Sequence, residues 1–539
     1  MSKNSNAKNR PNILWVSFED SNPFYGCYGD QVARTPIVDQ LAKDGCIWPN
    51  AFAPSGVCSP SRSAVITGMY PTSIGTHHMR TTHNNDNCRE LPTPYDAKLP
   101  HYVKCFTEYF RASGYYCTNN HKTDYQFESP VTAWDELGKE AHWRNRPNTE
   151  QPFFAVFNPM LTHESGMWPE NKWCENNFNP DDMVLPPYFP DTKKVRESMT
   201  QMYANIEWAD QQLGNLLKEL DEDGLAENTI VVHWSDHGPM PRGKRWPYDS
   251  GIHIPMIIRY PENVKPDSIN EDLISSVDLG PTMMSLAGLE IPQYMQGQAF
   301  LGNEKEDARE YIFAHRDRHD ESYDMVRAVR DKKFKYMRHY DLHSPYLPFT
   351  PYCNRHPIVQ EMHRLYFSDE LNDVQKLMFE KKPSEELYDI VEDPHEVNNL
   401  AKDSKYKIEI KRLRKALDQW MFDIGDLGKI TEEEMVRNWY PDGKQPQTSV
   451  VKFFPLDKNK LESELTPMGG EFSSPTRVQL VCMTQGASIA YTFENGENIK
   501  WQLYHEPLML EKGSYRIRTK SIRIGFAESE ETSAEFIVK

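Results

Sequence analysis

Three kinds of side chain in this sequence have the types and spacing to do chemistry together. Two short acidic runs, Glu19-Asp20 and Asp236-His237, offer carboxylates and an imidazole. Hard oxygen donors of that kind favour calcium or magnesium, whereas the histidine nitrogen suits zinc or manganese better. Arg62, Lys122, Lys244 and His163 form a second set. Gathered around one point, they would stabilise negative charge developing on a bound anion. The third kind is a single sulfur, Cys58, which opens the dense run Cys58-Ser-Pro-Ser-Arg62 followed by Thr67-Gly68.

These residues are far apart in the chain, so secondary structure has to bring them together. Short apolar runs cover Asn12 to Phe18, Tyr115 to Thr118, Phe153 to Phe157, Thr229 to Val232 and Ile254 to Arg259. The first four each end in polar residues out of place in a core: Glu19-Asp20, Asn119 to Lys122, Thr162-His163-Glu164 and Ser235 to Gly238. Near-continuous apolar strands of this length, separated by helix-like stretches, predict a parallel sheet covered on both faces. The stretch from about Glu197 to Leu220 is one such helix, with Met202, Ile206, Ala209, Leu213 and Leu217 at helical spacing. Ligands of open α/β sheets bind outside the carboxyl ends of the strands. Sheet geometry therefore offers one site containing Glu19, Asp20, Lys122, His163, Asp236 and His237.

Beyond about residue 320 the texture changes. Two short alternating strands around a turn at Asp331-Lys332, and a helix over Ile408 to Met421, predict a smaller α+β subdomain. A polar, loop-like stretch from Asn438 to Pro467 precedes a segment whose alternating runs and glycine turns predict an all-β sandwich. The expected organisation is a catalytic α/β domain over 1–325, an α+β subdomain over 326–460 and a β-sandwich module over 467–539.

At 539 residues the chain is long enough for several units and a sizeable core. Its net charge of −18 leaves no basic excess for nucleic acid or an anionic membrane. An anionic substrate must be held by a few local cations. The first ten residues are polar and basic, and Ile13 to Val16 is too short for a signal-peptide core or a membrane span. Taken at face value this describes a soluble, cytoplasmic protein, or a periplasmic or secreted one whose leader has been removed. Nine cysteines, an odd number without a C-x-x-C pair, argue against a disulfide framework and read as small buried side chains.

The run Cys58-Ser-Pro-Ser-Arg62 with Thr67-Gly68 resembles the C-x-P-S-R signature of the formylglycine-dependent type I sulfatases of the alkaline phosphatase superfamily. The resemblance extends from Pro11 to about Ala401, through PNILWVSFED, Ser235-Asp236-His237-Gly238, Lys244 in Gly243-Lys-Arg-Trp-Pro-Tyr248, and Leu387-Tyr-Asp389 to Asn398-Asn-Leu400. It implies an alkaline-phosphatase-like mixed or parallel sheet flanked by helices. It also implies a metal site of Glu19, Asp20, Cys58, Asp236 and His237, with calcium preferred over magnesium, manganese or zinc. Cys58, Arg62, Lys122, His163 and Lys244 would be catalytic, and Cys58 would be converted to formylglycine by a formylglycine-generating enzyme. The final segment resembles the small immunoglobulin-like module of some bacterial carbohydrate-active enzymes.

Two positions depart from the family pattern. Glu19 stands where an aspartate is usual, and His121-Lys-Thr-Asp124 replaces G-K-x-H, so no histidine follows Lys122 as proton donor to the leaving group. The chemistry itself suits the motif. A sulfate ester repels anionic nucleophiles, whereas a hydrated aldehyde presents a hydroxyl that a cation can acidify. Polar residues His78, Arg80, Asp124, Arg316 and Arg318 are candidates for holding a sulfated mono- or oligosaccharide, because forked and planar side chains suit sugar hydroxyls. Two alternatives stand beside this reading: a phosphonate monoester or phosphodiester hydrolase of the same superfamily, and a glycan-binding protein that has lost catalysis.

Overall fold

The structure is a computed structural model that describes residues 10–171, 173–239, 241–261, 263–456, 469–496 and 499–539. Two compact units emerge from it: Met1–Arg80, Asn85–Leu91 and Val156–Lys429 make the first, and Thr81–Asn84, Pro92–Ala155 and Ile430–Lys539 the second.

The main sheet of the first unit includes, in order, Asn12–Phe18, Thr229–Ser235, Met256–Arg259, Cys46–Ile47 and Ser268–Ile269. Its two central strands are buried along their whole length, as their unbroken apolar character requires for a sheet covered on both faces. They pair in parallel from Asn12↔Thr229 to Phe18↔Ser235, so their carboxyl ends coincide. The sheet is mixed, not purely parallel: Met256–Arg259 runs antiparallel to Thr229–Ser235, and Cys46–Ile47 antiparallel to Met256–Arg259. The helix Lys193–Glu222 starts where Thr192 accepts a bond from the Val195 amide, and it buries Val195, Met202, Ile206, Ala209 and Leu213.

A four-stranded antiparallel sheet follows, formed by Ile312–Arg316, Val326–Arg330, Phe334–His339 and Glu385–Asp389. The helix Lys407–Asp423 lays Leu413, Leu417 and Trp420 against Val329, Tyr336 and Leu387 of this sheet. Because Ile312–Arg316 pairs with Val326–Arg330, the sheet begins upstream of residue 326.

The second unit carries the strands Tyr116–Asn120 and Glu136–Leu137, paired in parallel. Its C-terminal part is two small sheets sharing one core of Val451, Phe453, Phe472, Val478, Leu480, Ile517 and Phe536. One strand of that core, Val451–Leu456, lies inside the stretch read from sequence as loop. It is an edge strand, where Pro455 is tolerated, and its alternate residues Val451 and Phe453 point inward. The expected module boundary at residue 467 lies outside the described residues.

Candidate active site

The paired carboxyl ends of Asn12–Phe18 and Thr229–Ser235 deliver Glu19-Asp20 and Asp236-His237 to one place. Asp20 adopts a left-handed backbone conformation, φ 45°, at the first turn after its strand. That turn lets its amide donate to Asp236 Oδ1 at 3.1 Å while its own Oδ1 lies 3.2 Å from His237 Nε2. His237 Nδ1 sits 2.8 Å from the Gly238 carbonyl and must donate to it. The neutral ring therefore presents an unprotonated Nε2 toward Asp20 and toward Cys58 Sγ, 3.1 Å away. A lone pair facing a carboxylate oxygen is repulsive unless a cation lies between them. Asp20, Cys58, Asp236 and His237 place their ligand atoms within 4.8 Å of one another, all buried, and this donor set fits a metal ion.

Cys58 begins the helix Cys58–Thr67, every residue of which is buried. Pro60 is tolerated in the first turn, where amides lack intrahelical acceptors. Gly68, φ 66°, ends the helix by donating to the Ala64 carbonyl, and Thr67 Oγ1 donates to Ser63 O, which gives the Thr-Gly pair a local structural reason. Arg62 points back under the site. Its Nε donates to Asp236 Oδ2 at 3.1 Å, its Nη1 to Asn158 Oδ1 at 3.0 Å, and its Nη2 to Glu19. Glu19 is thus engaged by Arg62 and is not among the four converging ligand groups. In this arrangement Arg62 braces the acidic residues, and Glu19 pairs with Arg62. Ser61 Oγ adds a bond to the Asp236 carbonyl at 2.6 Å.

Lys244 is 2% exposed, with Nζ 2.6 Å from Asp20 Oδ2 and 3.0 Å from Glu164 Oε1. Its loop closes tightly because Gly243 and Gly251 lack side chains: a Cβ on Gly251 would lie 2.0 Å from the Gly243 carbonyl oxygen. Burial works against the charged lysine, yet Asp20 and Glu164 outweigh it and hold the ammonium well above the usual lysine range. Burial likewise works to raise Asp20 and Glu164. Lys244 and His163, joined by Arg245 at Glu164, hold both carboxyls below their ordinary values. Arg245, φ 84°, completes the cluster with Nη2 2.6 Å from Glu164 Oε1. The Glu164 amide also donates to Asp20 Oδ2 at 2.6 Å.

His163 caps the short turn Glu164–Met167 by accepting from the Ser165 amide, beside Asp20 and Glu164. Lys122 and Asp124 belong to the second unit and face each other at 3.6 Å, just after Tyr116–Asn120. Of the expected pocket residues, Arg80 keeps 27% of its side chain exposed, pairs with Asp320 and lies over the Tyr352 ring at 3.9 Å. His78 and Arg318 are buried together, with the Arg318 amide 3.3 Å from His78 Nδ1. Arg316 is buried. Its guanidinium is used by Asp324 at 3.0 Å and the Arg245 carbonyl at 2.7 Å and is stacked on Trp246, so it braces the Lys244 loop. Glu164, Asn158 and Tyr352 were not singled out from sequence. Asn158 directly follows a buried strand and Glu164 opens the short turn after it, and that position was the available signal; Tyr352 carried none.

Comparison with known proteins agrees with this geometry. Residues 11–141 and 135–289 match the family model described as Sulfatase, and residues 237–383 match the one described as N-sulphoglucosamine sulphohydrolase, C-terminal. The chain belongs to the sulfatase family, and it is a sulfuric ester hydrolase. It is similar to an ulvan-active sulfatase of Formosa agariphila, 41% identical over 566 residues that cover 96% of this chain and 90% of that protein. Human N-sulphoglucosamine sulphohydrolase is 26% identical over 472 residues, covering 77% of this chain and 90% of the relative. A solved structure in complex with its substrate D-glucosamine-2-N,6-O-disulfate has the same fold, with TM-score 0.56 and 18% identity over 78% of this chain and 100% of that one. Agrobacterium radiobacter phosphonate monoester hydrolase shares the fold too, with TM-score 0.55 and 17% identity over 79% of this chain and 99% of that one.

Proposed function

We propose that this protein removes sulfate esters from a sulfated carbohydrate, acting at a chain end, with residue 58 as formylglycine and one calcium ion in the site. The observation that carries the reading is the buried meeting of Cys58 Sγ, Asp20, Asp236 and His237 beside Lys244. The carbohydrate substrate is supported by the 41% identity to an ulvan-active sulfatase over nearly the whole chain. The Cys58 sulfur stands where the oxygens of the mature, hydrated side chain would be.

Asp20, Asp236 and His237 would hold the cation, which when bound supplies positive charge toward the substrate's sulfuryl oxygens and acidifies a nearby hydroxyl. The protein's own part is preorganisation. Arg62 holds Asp236 and Glu19 in place, Gly238 fixes the tautomer of His237, and Glu164 holds Lys244 and Arg245 at the wall of the site. Lys244 and His163 stabilise charge on the sulfuryl group as the bond to the leaving oxygen breaks. The hydrated aldehyde serves as a nucleophile that expels sulfate and regenerates itself, a form of covalent catalysis.

The test is a desulfation screen on defined sulfated mono- and oligosaccharides, using protein whose aldehyde at residue 58 has been verified by mass spectrometry. Release of sulfate from terminal sugars is expected, with Cys58→Ala inactive at nearly unchanged thermal stability. Faster turnover of matched phosphonate esters than of every sulfated saccharide would reject it.

A further inference from the structure

A further buried histidine lies among the charges of this site. His356 follows the turn Cys353–Arg355 and is the N-cap of the helix Pro357–Phe367. Pro357 has no amide hydrogen, so the first free helix donor is Ile358 N, which gives its bond to His356 Nδ1 at 3.2 Å. With Nδ1 accepting, the neutral ring carries its hydrogen on Nε2. That nitrogen is buried, in a side chain 2% exposed, and has no hydrogen-bond partner among the described residues. An unmet buried donor is costly unless a ligand or water meets it.

The surroundings say what it could serve. The same segment puts the Tyr352 ring 3.9 Å from the Arg80 guanidinium, 5.9 Å from that of Arg245 and 5.2 Å from the Trp168 ring. The charged groups acting on His356 are Glu164, Arg245, Lys244 and Asp20, the four at the anion-binding wall. Burial first of all pushes the imidazole down to about 4, so it is neutral at pH 7 and stays an N–H donor.

We propose that His356 is a substrate-contacting residue whose neutral Nε2–H donates a hydrogen bond to the anionic group of the bound sulfate ester. It rests on the sulfatase reading above and adds to it a donor from the C-terminal side of the unit, where the first-strand and signature motifs contribute nothing. A neutral donor suits this place: it adds no charge to a wall already balanced by Glu164 and Asp20.

The experiment is His356→Asn. Asparagine keeps the N-cap, so the helix and the thermal stability persist, but it removes the deep N–H. For the sulfated carbohydrate, kcat/KM should fall about ten- to a hundredfold, the usual effect of losing a hydrogen bond to a charged group. Competitive inhibition by inorganic sulfate should weaken by a similar factor. The shape of the pH profile should not change, because no imidazolium is lost. His356→Gln, whose amide N–H reaches nearly as deep as Nε2, should retain more of both activities than Asn. Unchanged turnover together with unchanged sulfate inhibition in His356→Asn would overturn the assignment, and loss of one limb of the pH profile would overturn the neutral-donor form of it. Calorimetric binding of inorganic sulfate to wild type and variant separates the two readings. If the wild type desulfates nothing, the parent proposal fails, while a weaker sulfate affinity in the variant still supports the role of His356.

Discussion

Replacing Glu164 by Gln isolates the residue that the site geometry adds to the expected set. Its Oε1 lies 3.0 Å from Lys244 Nζ and 2.6 Å from Arg245 Nη2, and its Oε2 lies 3.3 Å from Arg245 Nη1, with all three side chains at most 8% exposed. The pKa directions of the partners agree, the lysine and arginine raised and the glutamate lowered, as a strong ion pair requires. Glutamine keeps the shape and removes the charge, which leaves two buried cations with less compensation. Breaking one partner of a buried pair costs roughly 3–5 kcal/mol. Lys244 retains Asp20 at 2.6 Å, so the lower end, about 3 kcal/mol, is the expected loss. For a unit of this size that corresponds to a drop of roughly 4 °C in the first thermal transition. The same change frees the two cations for an external anion, so inorganic sulfate should inhibit about tenfold more tightly, a gain of about 1.4 kcal/mol. Scanning fluorimetry and inhibition kinetics read the two effects. A transition within about 1 °C of wild type, combined with unchanged sulfate inhibition, would refute the reasoning.

Asp236→Ala should lower the metal content of the purified protein, measured by elemental analysis, and chelation should remove activity from the wild type; full activity in a metal-free preparation contradicts both. Arg80→Ala, which removes a partly exposed guanidinium stacked on Tyr352, should raise KM about tenfold for a sulfated sugar and little for a small aryl sulfate. Equal effects on the two substrates count against Arg80 as a sugar contact. Asp249 binds Lys335 at 2.5 Å and Arg330 at 3.2 Å; burial opposes its ionisation, but these two cations depress its pKa. Its contribution is therefore complete above the ordinary aspartate value of about 3.9 and is lost as pH falls through the depressed one. Asp249→Asn should be less stable than wild type at about pH 5, by a margin that narrows as the pH falls below about 4, as followed by urea denaturation; a margin that widens below about pH 4 would be the wrong sign.

Much of the site was legible because strand ends are legible. A short apolar run that stops at Glu19-Asp20, and another that stops at Ser235-Asp236-His237, read by their length and β-branched and aromatic content as buried strands with polar residues at one edge of the sheet. The Cys58 run and Thr67-Gly68 were legible through their resemblance to a family signature, and the helix that they begin and end gives that spacing a structural reason. The strand Val451–Leu456 was not, because its proline and its polar neighbours mask an alternation that only a partner sheet makes visible.

Which residues could do chemistry was therefore decided by the sequence itself, through residue type and position at the ends of local elements. Which partner each charge takes was decided only by the tertiary structure. Arg62 turns to Glu19 and Asp236, Arg316 to Asp324, and Glu164 to Lys244 and Arg245, across separations of 174 residues at Asp236 and 81 at Arg245. Long side chains reach in many directions, and a buried charge takes the nearest opposite one that the fold presents. That choice depends on distances of a few ångströms between elements, which no local pattern in the chain encodes.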